Sequence, residues 1–234
     1  MVIVLVAVLA SFVISASVGL GGSLLMVPTL VLAVGTKEGV ALAALLLAAN
    51  NVFKLIGYRA TIPWRKASGV ILAVAIGTAI GARLLVAAST VVVGVAVLVS
   101  FALTLLFERR DFAAGQRVAG PGLALAAGAS SGFSGTSGPL KGVAIRNLGL
   151  DRLHFVGAAS VASFAGDATK VAVFTDSRLL GPGAFALAAM AVPLMAAGTA
   201  IGRHLNGRID ERGFAVLFWS VMTGYSVRLV TIIV

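Results

Sequence analysis

Apolar stretches long enough to span a bilayer recur along this chain, joined by short segments that carry most of its charge. Eight stand out, at about 1–34, 39–57, 67–87, 89–107, 120–145, 153–174, 183–204 and 213–234. The chain has 234 residues, 59% hydrophobic and 11% charged. Soluble domains run nearer a quarter charged, so the solvent expected here is lipid. In hydrocarbon every backbone polar group needs an internal partner, which leaves helices or closed barrels. The runs are continuous, rich in Ala, Leu and Gly, and do not alternate at period two, which argues against a barrel. The fold class expected is an all-α polytopic membrane protein.

The net charge of +10 sits between the apolar runs, as a topology signal and not as a nucleic-acid surface. There is no cysteine, and His154 and His204 do not form a ligand cluster, so no metal and no cofactor are expected. No metal-hydrolase motif or Ser/Cys nucleophile constellation points to an enzyme, and no Walker A motif points to ATP coupling within the chain. Residues 1–18 lack a basic start and run directly into a glycine motif, so they read as mature structure and not as a cleaved signal.

The one long polar stretch, 108–117, falls near the middle of the chain. On either side of it three short patterns recur in the same order. Gly77-Thr78-Ala79-Ile80-Gly81 returns as Gly198-Thr199-Ala200-Ile201-Gly202, each followed by an arginine, Arg83 or Arg203. Asn51-x-x-Lys54 pairs with Asp167-x-x-Lys170, and the small-residue cluster 17–23 pairs with 131–138. The expected organisation is a first membrane repeat at 1–108, a polar linker at 109–119 and a second repeat at 120–234, with four segments in each half.

The first segment of each half contains helix-breaking residues. Gly19, Gly21, Gly22 and Pro28 interrupt segment one; Gly132, Gly135, Gly138 and Pro139 interrupt segment five. Interrupted apolar segments at matching places in two halves are a sequence signature of a transporter site. Eight full crossings would place eight basic residues on each side and give no orientation. Re-entrant hairpins at segments one and five place twelve on one side, Lys141 and Arg146 included, and four opposite: Lys37, Arg83, Arg178 and Arg228. The positive-inside rule favours this second arrangement, which makes the repeats inverted.

The stretch Val18-Gly19-Leu20-Gly21-Gly22-Ser23-Leu24-Leu25-Met26-Val27-Pro28-Thr29-Leu30 resembles the opening glycine signature of the TauE/SafE sulfite exporter family. Residues 128–139 resemble its second-half counterpart, and the duplicated four-segment plan covers essentially the whole chain. Ser23 stands where a third glycine is usual, and Thr136-Ser137 interrupts the second glycine run, which adds hydroxyls. The resemblance implies a permease for small sulfur-containing anions such as sulfite or organosulfonates, in the bacterial inner (plasma) membrane. Proton or sodium coupling and a homodimeric assembly are open at this stage. A passive anion channel and a non-transporting membrane scaffold are the alternatives.

An anion crossing a membrane needs donors and positive potential. Backbone N–H groups at Gly21, Gly22, Ser23, Gly135, Thr136 and Ser137 are candidates, helped by the hydroxyls of Ser23, Ser134, Thr136 and Ser137. Asn51 and Lys54 share a helix face, and Asp167 and Lys170 repeat that geometry. Asp167 precedes Asp176 by nine residues, so it lies on the order of 13 Å from that end of its helix. An ionised Asp at such depth is costly without a partner, and Lys170 is the evident one. Asp167 is the candidate coupling residue; Lys54 and Lys170 are candidates to face the anion. Gly77 and Gly81 are expected to support a close helix crossing.

Overall fold

The structure is a computed structural model that describes Phe12 and residues 22–108, 120–137 and 140–204. Among these residues it is all helix, with no strand. Eight α-helices follow in order: α1 Gly22–Val34, α2 Thr36–Tyr58, α3 Trp64–Ala87, α4 Thr90–Glu108, α5 Gly120–Ser134, α6 Leu140–Arg146, α7 Arg152–Asp176 and α8 Pro182–His204. A single turn of 3-10 helix, Arg59–Thr61, leads from α2 towards α3. α2, α3, α4, α7 and α8 match the second, third, fourth, sixth and seventh apolar stretches to within about three residues, whereas α1 covers only 22–34 of the first and the fifth is divided between α5 and α6. The linker 109–119, segment 213–234 and the glycine run through Gly21 lie outside the described residues.

Two expectations are corrected. Gly132 does not interrupt segment five; α5 runs through it to Ser134, and the break begins at Gly135. Pro28 does not interrupt segment one; α1 runs through it from Gly22 to Val34. A proline ring removes one helical hydrogen bond, and in this helix Pro28 is buried against protein, where neighbouring helices hold the backbone in register. α1 then turns into α2 over Gly35, whose φ of 112° is open to glycine and strained for other residues. Just beyond, Gly39 packs on α1 so closely that a Cβ would stand 2.5 Å from the Val31 backbone.

Two of the described helical stretches, Thr36–Thr61 and Trp64–Ala87, are long and apolar enough to cross a membrane. The surface of α3 shows which solvent it meets. Leu72, Ile76, Ile80 and Leu84, four residues apart on one face, are each about half exposed or more. Val92, Val95 and Val99 continue an exposed apolar surface on α4. In water such a patch is a liability; against lipid it is the natural outer surface.

The inner face of α3 packs on α5 with backbone against backbone. A Cβ on Gly77 or Gly81 would stand 2.1 Å from the Leu125 or Ala129 carbonyl oxygen. A Cβ on Gly128 or Gly132 would stand 2.2 or 2.3 Å from the carbonyl oxygen of Val74 or Thr78. Two Gly-x-x-x-Gly faces therefore interlock, which is how small residues bring membrane helices together. Residue numbers rise together along both helices at these contacts, so α3 and α5 run parallel. The close crossing expected at Gly77 and Gly81 is present; its partner face, Gly128 and Gly132, went unread in the sequence. The second copy of the pentapeptide falls within α8, and its packing lies outside the described residues.

After α5 the chain turns back. Ala144 and Ile145 of α6 share a buried cluster with Ala124 near the start of α5 and with Ala67 and Val70 near the start of α3. α5 and α6 thus form a hairpin whose two ends lie on the same side of the bundle. α7 begins on that side too: Gly157 lies against Thr61, where a Cβ would be 2.4 Å from the carbonyl oxygen. Arg65 and Lys66, in the first turn of α3, and Arg146, the last residue of α6, fall at this end. Lys37 sits at the other, its Nζ donating to the Val86 carbonyl at the far end of α3 over 2.8 Å.

Candidate functional site

Asn51 lies on α2 and Asp167 on α7, 116 residues apart, and they meet inside the bundle. Asn51 Nδ2 donates to Asp167 Oδ2 over 2.7 Å. One turn further along α7, Lys170 Nζ stands 2.6 Å from the other carboxylate oxygen, Oδ1. Both residues are buried, Lys170 to 1% exposure and Asp167 to 7%. A buried ion pair is tolerated only where both charges are fully engaged. Here the carboxylate takes one donor on each oxygen, and Lys170 also donates to Ser131 Oγ at 3.3 Å. Ser131 lies in the last turn of α5, where carbonyl groups gather partial negative charge and favour a nearby cation.

The hairpin supplies a further cation. Lys141, on α6, donates through Nζ to Ser163 Oγ over 2.8 Å. Ser163 lies one turn before Asp167 on α7. Lys141 is close enough to Asp167, Lys170 and Lys54 to interact with each electrostatically. The charge count assigned Lys141 to the loop cations; its ammonium is instead turned into the bundle. That leaves eleven of the twelve residues on that side as topology charges, without altering the bias. The signal was present in the sequence, since Lys141 stands two residues past Pro139, within the broken segment. Lys54, one turn beyond Asn51 on α2, also feels the charge of Asp167. Among the described residues no carboxylate lies within ion-pair distance of it.

The break between α5 and α6 is held open by its own hydroxyls. Gly135 adopts φ 82°, the left-handed conformation of a helix C-terminal cap, and its N–H donates to the Ser131 carbonyl over 3.0 Å. Ser130 Oγ donates to the Thr136 carbonyl at 3.1 Å. Ser134 Oγ reaches the Ser130 carbonyl at 2.9 Å and the Thr136 carbonyl at 3.3 Å. Ser134, Thr136 and Ser137 are buried. A Cβ on Gly135 would stand 2.9 Å from Val27 Cγ2, so the break abuts α1 one residue before Pro28.

Of the candidate residues, Asn51, Asp167 and Lys170 form one connected group. Lys54 lies within electrostatic range of it, and Ser131, Ser163 and Lys141, which the sequence did not single out as site residues, join it. Gly135, Thr136 and Ser137 line the neighbouring break. Gly22 and Ser23 open α1, and Gly21 is outside the described residues. Thr78 is a further residue the sequence did not single out for its side chain. It is fully buried, and its hydroxyl has no hydrogen-bond partner among the described residues. It faces Gly166, the residue before Asp167, where a Cβ would be 3.4 Å away. Among the described residues no cluster of His, Cys, Asp or Glu is arranged to hold a metal ion.

A buried, lysine-rich group inside a lipid-facing helical bundle suits a small anion. No curated protein and no solved structure matches the chain. A family model, sulfite exporter TauE/SafE, matches residues 3–229, nearly the whole length. The match spans α1 to α8, with both glycine-rich stretches and the Asn51–Asp167 contact inside it, and the chain belongs to the TauE/SafE sulfite exporter family of membrane transporters.

Proposed function

We propose that this protein is a secondary carrier that moves a small sulfur-containing anion, sulfite or an organosulfonate, across the bacterial inner membrane. The observation that carries this reading is the group of lysines around Asp167. An ammonium group in a membrane interior is costly, and its presence there reads as function. Lys54 and Lys170 supply positive potential on two helices, α2 and α7. The unwound backbone at Gly135, Thr136 and Ser137 follows the helix end that holds Ser131, the hydroxyl partner of Lys170, and adds polar groups that lipid would not tolerate. Gly22 and Ser23 open α1, whose N-terminus supplies further N–H groups.

The contact between Asn51 and Asp167 also supports an inverted repeat. If two halves are related by a two-fold axis, equivalent residues that touch must lie on that axis, and these two occupy equivalent positions. Binding sites of duplicated carriers fall at such an axis, near the bilayer midplane. The hairpin formed by α5 and α6 fits the same scheme, with four segments per half and a re-entrant first segment in each.

Asp167 favours a coupled carrier over a passive channel, since a plain anion pore gains nothing from a buried carboxylate. Its proton, or a sodium ion in its place, is the candidate coupling ion. The test is flux in proteoliposomes of sulfite, sulfoacetate, taurine and sulfate, with and without a proton gradient. Gradient-dependent flux of at least one sulfur anion is expected. Flux of none removes the assignment, and flux indifferent to proton and sodium gradients turns it into a channel.

A further inference from the structure

The charges at the site do not balance. Of the eight acidic residues in the chain, Asp167 is the one that falls inside an apolar segment; the other seven stand at segment ends or in linkers. Its two oxygens are already engaged, Oδ1 by Lys170 and Oδ2 by Asn51. Lys170 is 1% exposed, closed in by Asp167 and Ser131. Two other lysines, Lys54 and Lys141, share the site without a carboxylate of their own among the described residues.

The repeat explains how Lys54 comes to be unbalanced. Lys170 finds its counter-charge three residues earlier on its own helix, at Asp167. The same position relative to Lys54 holds Asn51, which is neutral and has turned its amide to Asp167. Among the described residues, the hydrogen-bond partner of Lys141 is the Ser163 hydroxyl, a neutral acceptor. Both are partly buried, unlike the enclosed Lys170, so each can still be reached. They come from opposite halves of the chain, Lys54 from α2 and Lys141 from the hairpin.

We infer that Lys54 and Lys141, and not Lys170, are the cations that contact the transported anion, and that together they select an anion carrying two negative charges. Lys170 is a positioning residue that holds Asp167. Two ammonium groups in a membrane interior need two opposite charges nearby. A dianion provides both at once, and leaves whenever it is released. The inference rests on the carrier reading above but adds a residue and a charge to it.

The test compares sulfoacetate with ethanesulfonate, which share a sulfonate and differ in one carboxylate. Binding is read as thermal stabilisation of the full-length purified protein over a concentration series, and flux is measured separately in vesicles. The wild type is expected to bind the dianion at least about tenfold more tightly, as a charge-assisted contact warrants. In Lys141→Gln that preference should collapse to less than about threefold, while Lys141→Arg restores it. Lys170→Gln should lower the starting melting temperature yet keep the preference. Equal affinity for both anions in the wild type, or an unchanged preference in a folded Lys141→Gln, overturns the inference. Selective binding without any flux sinks the carrier reading and leaves this one standing. Flux without charge preference does the reverse.

Discussion

The Asn51 amide and the Asp167 carboxylate, 2.7 Å apart, join two helices from opposite halves of the chain through residues at matching places in a sequence repeat. One is an amide and the other an acid. That single difference gives the site one carboxylate instead of two, and among the described residues it leaves the lysine on the amide's helix without a counter-charge. Asn51→Asp is therefore expected to reverse the balance. It places a second carboxylate three residues before Lys54 and against Asp167, and like charges at that distance repel. Anion affinity should fall at least about tenfold, measured by ligand-induced stabilisation.

Asp167→Asn leaves Lys170 buried without its partner. Breaking a buried pair from one side costs about 3–5 kcal/mol. The melting temperature should drop markedly and gradient-driven flux should be lost or uncoupled. The double change Asp167→Asn with Lys170→Met should recover part of the stability and none of the coupling. Full gradient-dependent flux in the single variant would show that Asp167 has only a structural role.

Backbone contact between α3 and α5 predicts a sharp size limit. Gly132→Val pushes side-chain atoms into the Thr78 carbonyl, since even a Cβ would stand 2.3 Å from it. The two helices must separate, and yield of folded protein in detergent should collapse. Gly142 on α6 is the control, because nothing lies within 4 Å of a Cβ there. Gly142→Ala should be neutral or stabilising, by up to about 1 kcal/mol.

The absence of native cysteine makes topology directly measurable. Lys37→Cys and Arg146→Cys should label from opposite sides of the membrane with an impermeant thiol reagent. Labelling of both from one side contradicts the α5–α6 hairpin. The side that modifies Arg146→Cys is expected to be the cytoplasmic one, by the positive-inside rule.

Much of this was legible in the sequence, for identifiable physical reasons. Helices α2, α3 and α7 announce themselves because lipid demands long apolar runs. Asp167 and Lys170 stood out because a charge inside such a run is rare. Lys141 was passed over because a lysine just beyond a Gly-Pro pair looks like a loop residue until the fold turns its ammonium to Ser163. The Gly128–Gly132 face stayed hidden because small residues are everywhere in this chain, and only the three-dimensional pairing says which of them touch. Pro28 misled in the other direction: local propensity predicts a break, and tertiary packing carries the helix through it.

The interlocked glycines of α3 and α5 bear on how such a molecule can move. Where backbone rests on backbone there are no side chains to swing aside, so the two helices cannot shear past each other in small steps. α3 and the hairpin would travel as one piece. The seam between α2 and α7 is of another kind, because it carries the Asn51–Asp167 hydrogen bond, a side-chain contact that can exchange partners as an ion comes and goes. A cross-link between α3 and α5 should leave transport running, and one between α2 and α7 should arrest it. With that result, the moving joint would coincide with the proposed binding site, and the cargo itself would decide when the joint is free to turn.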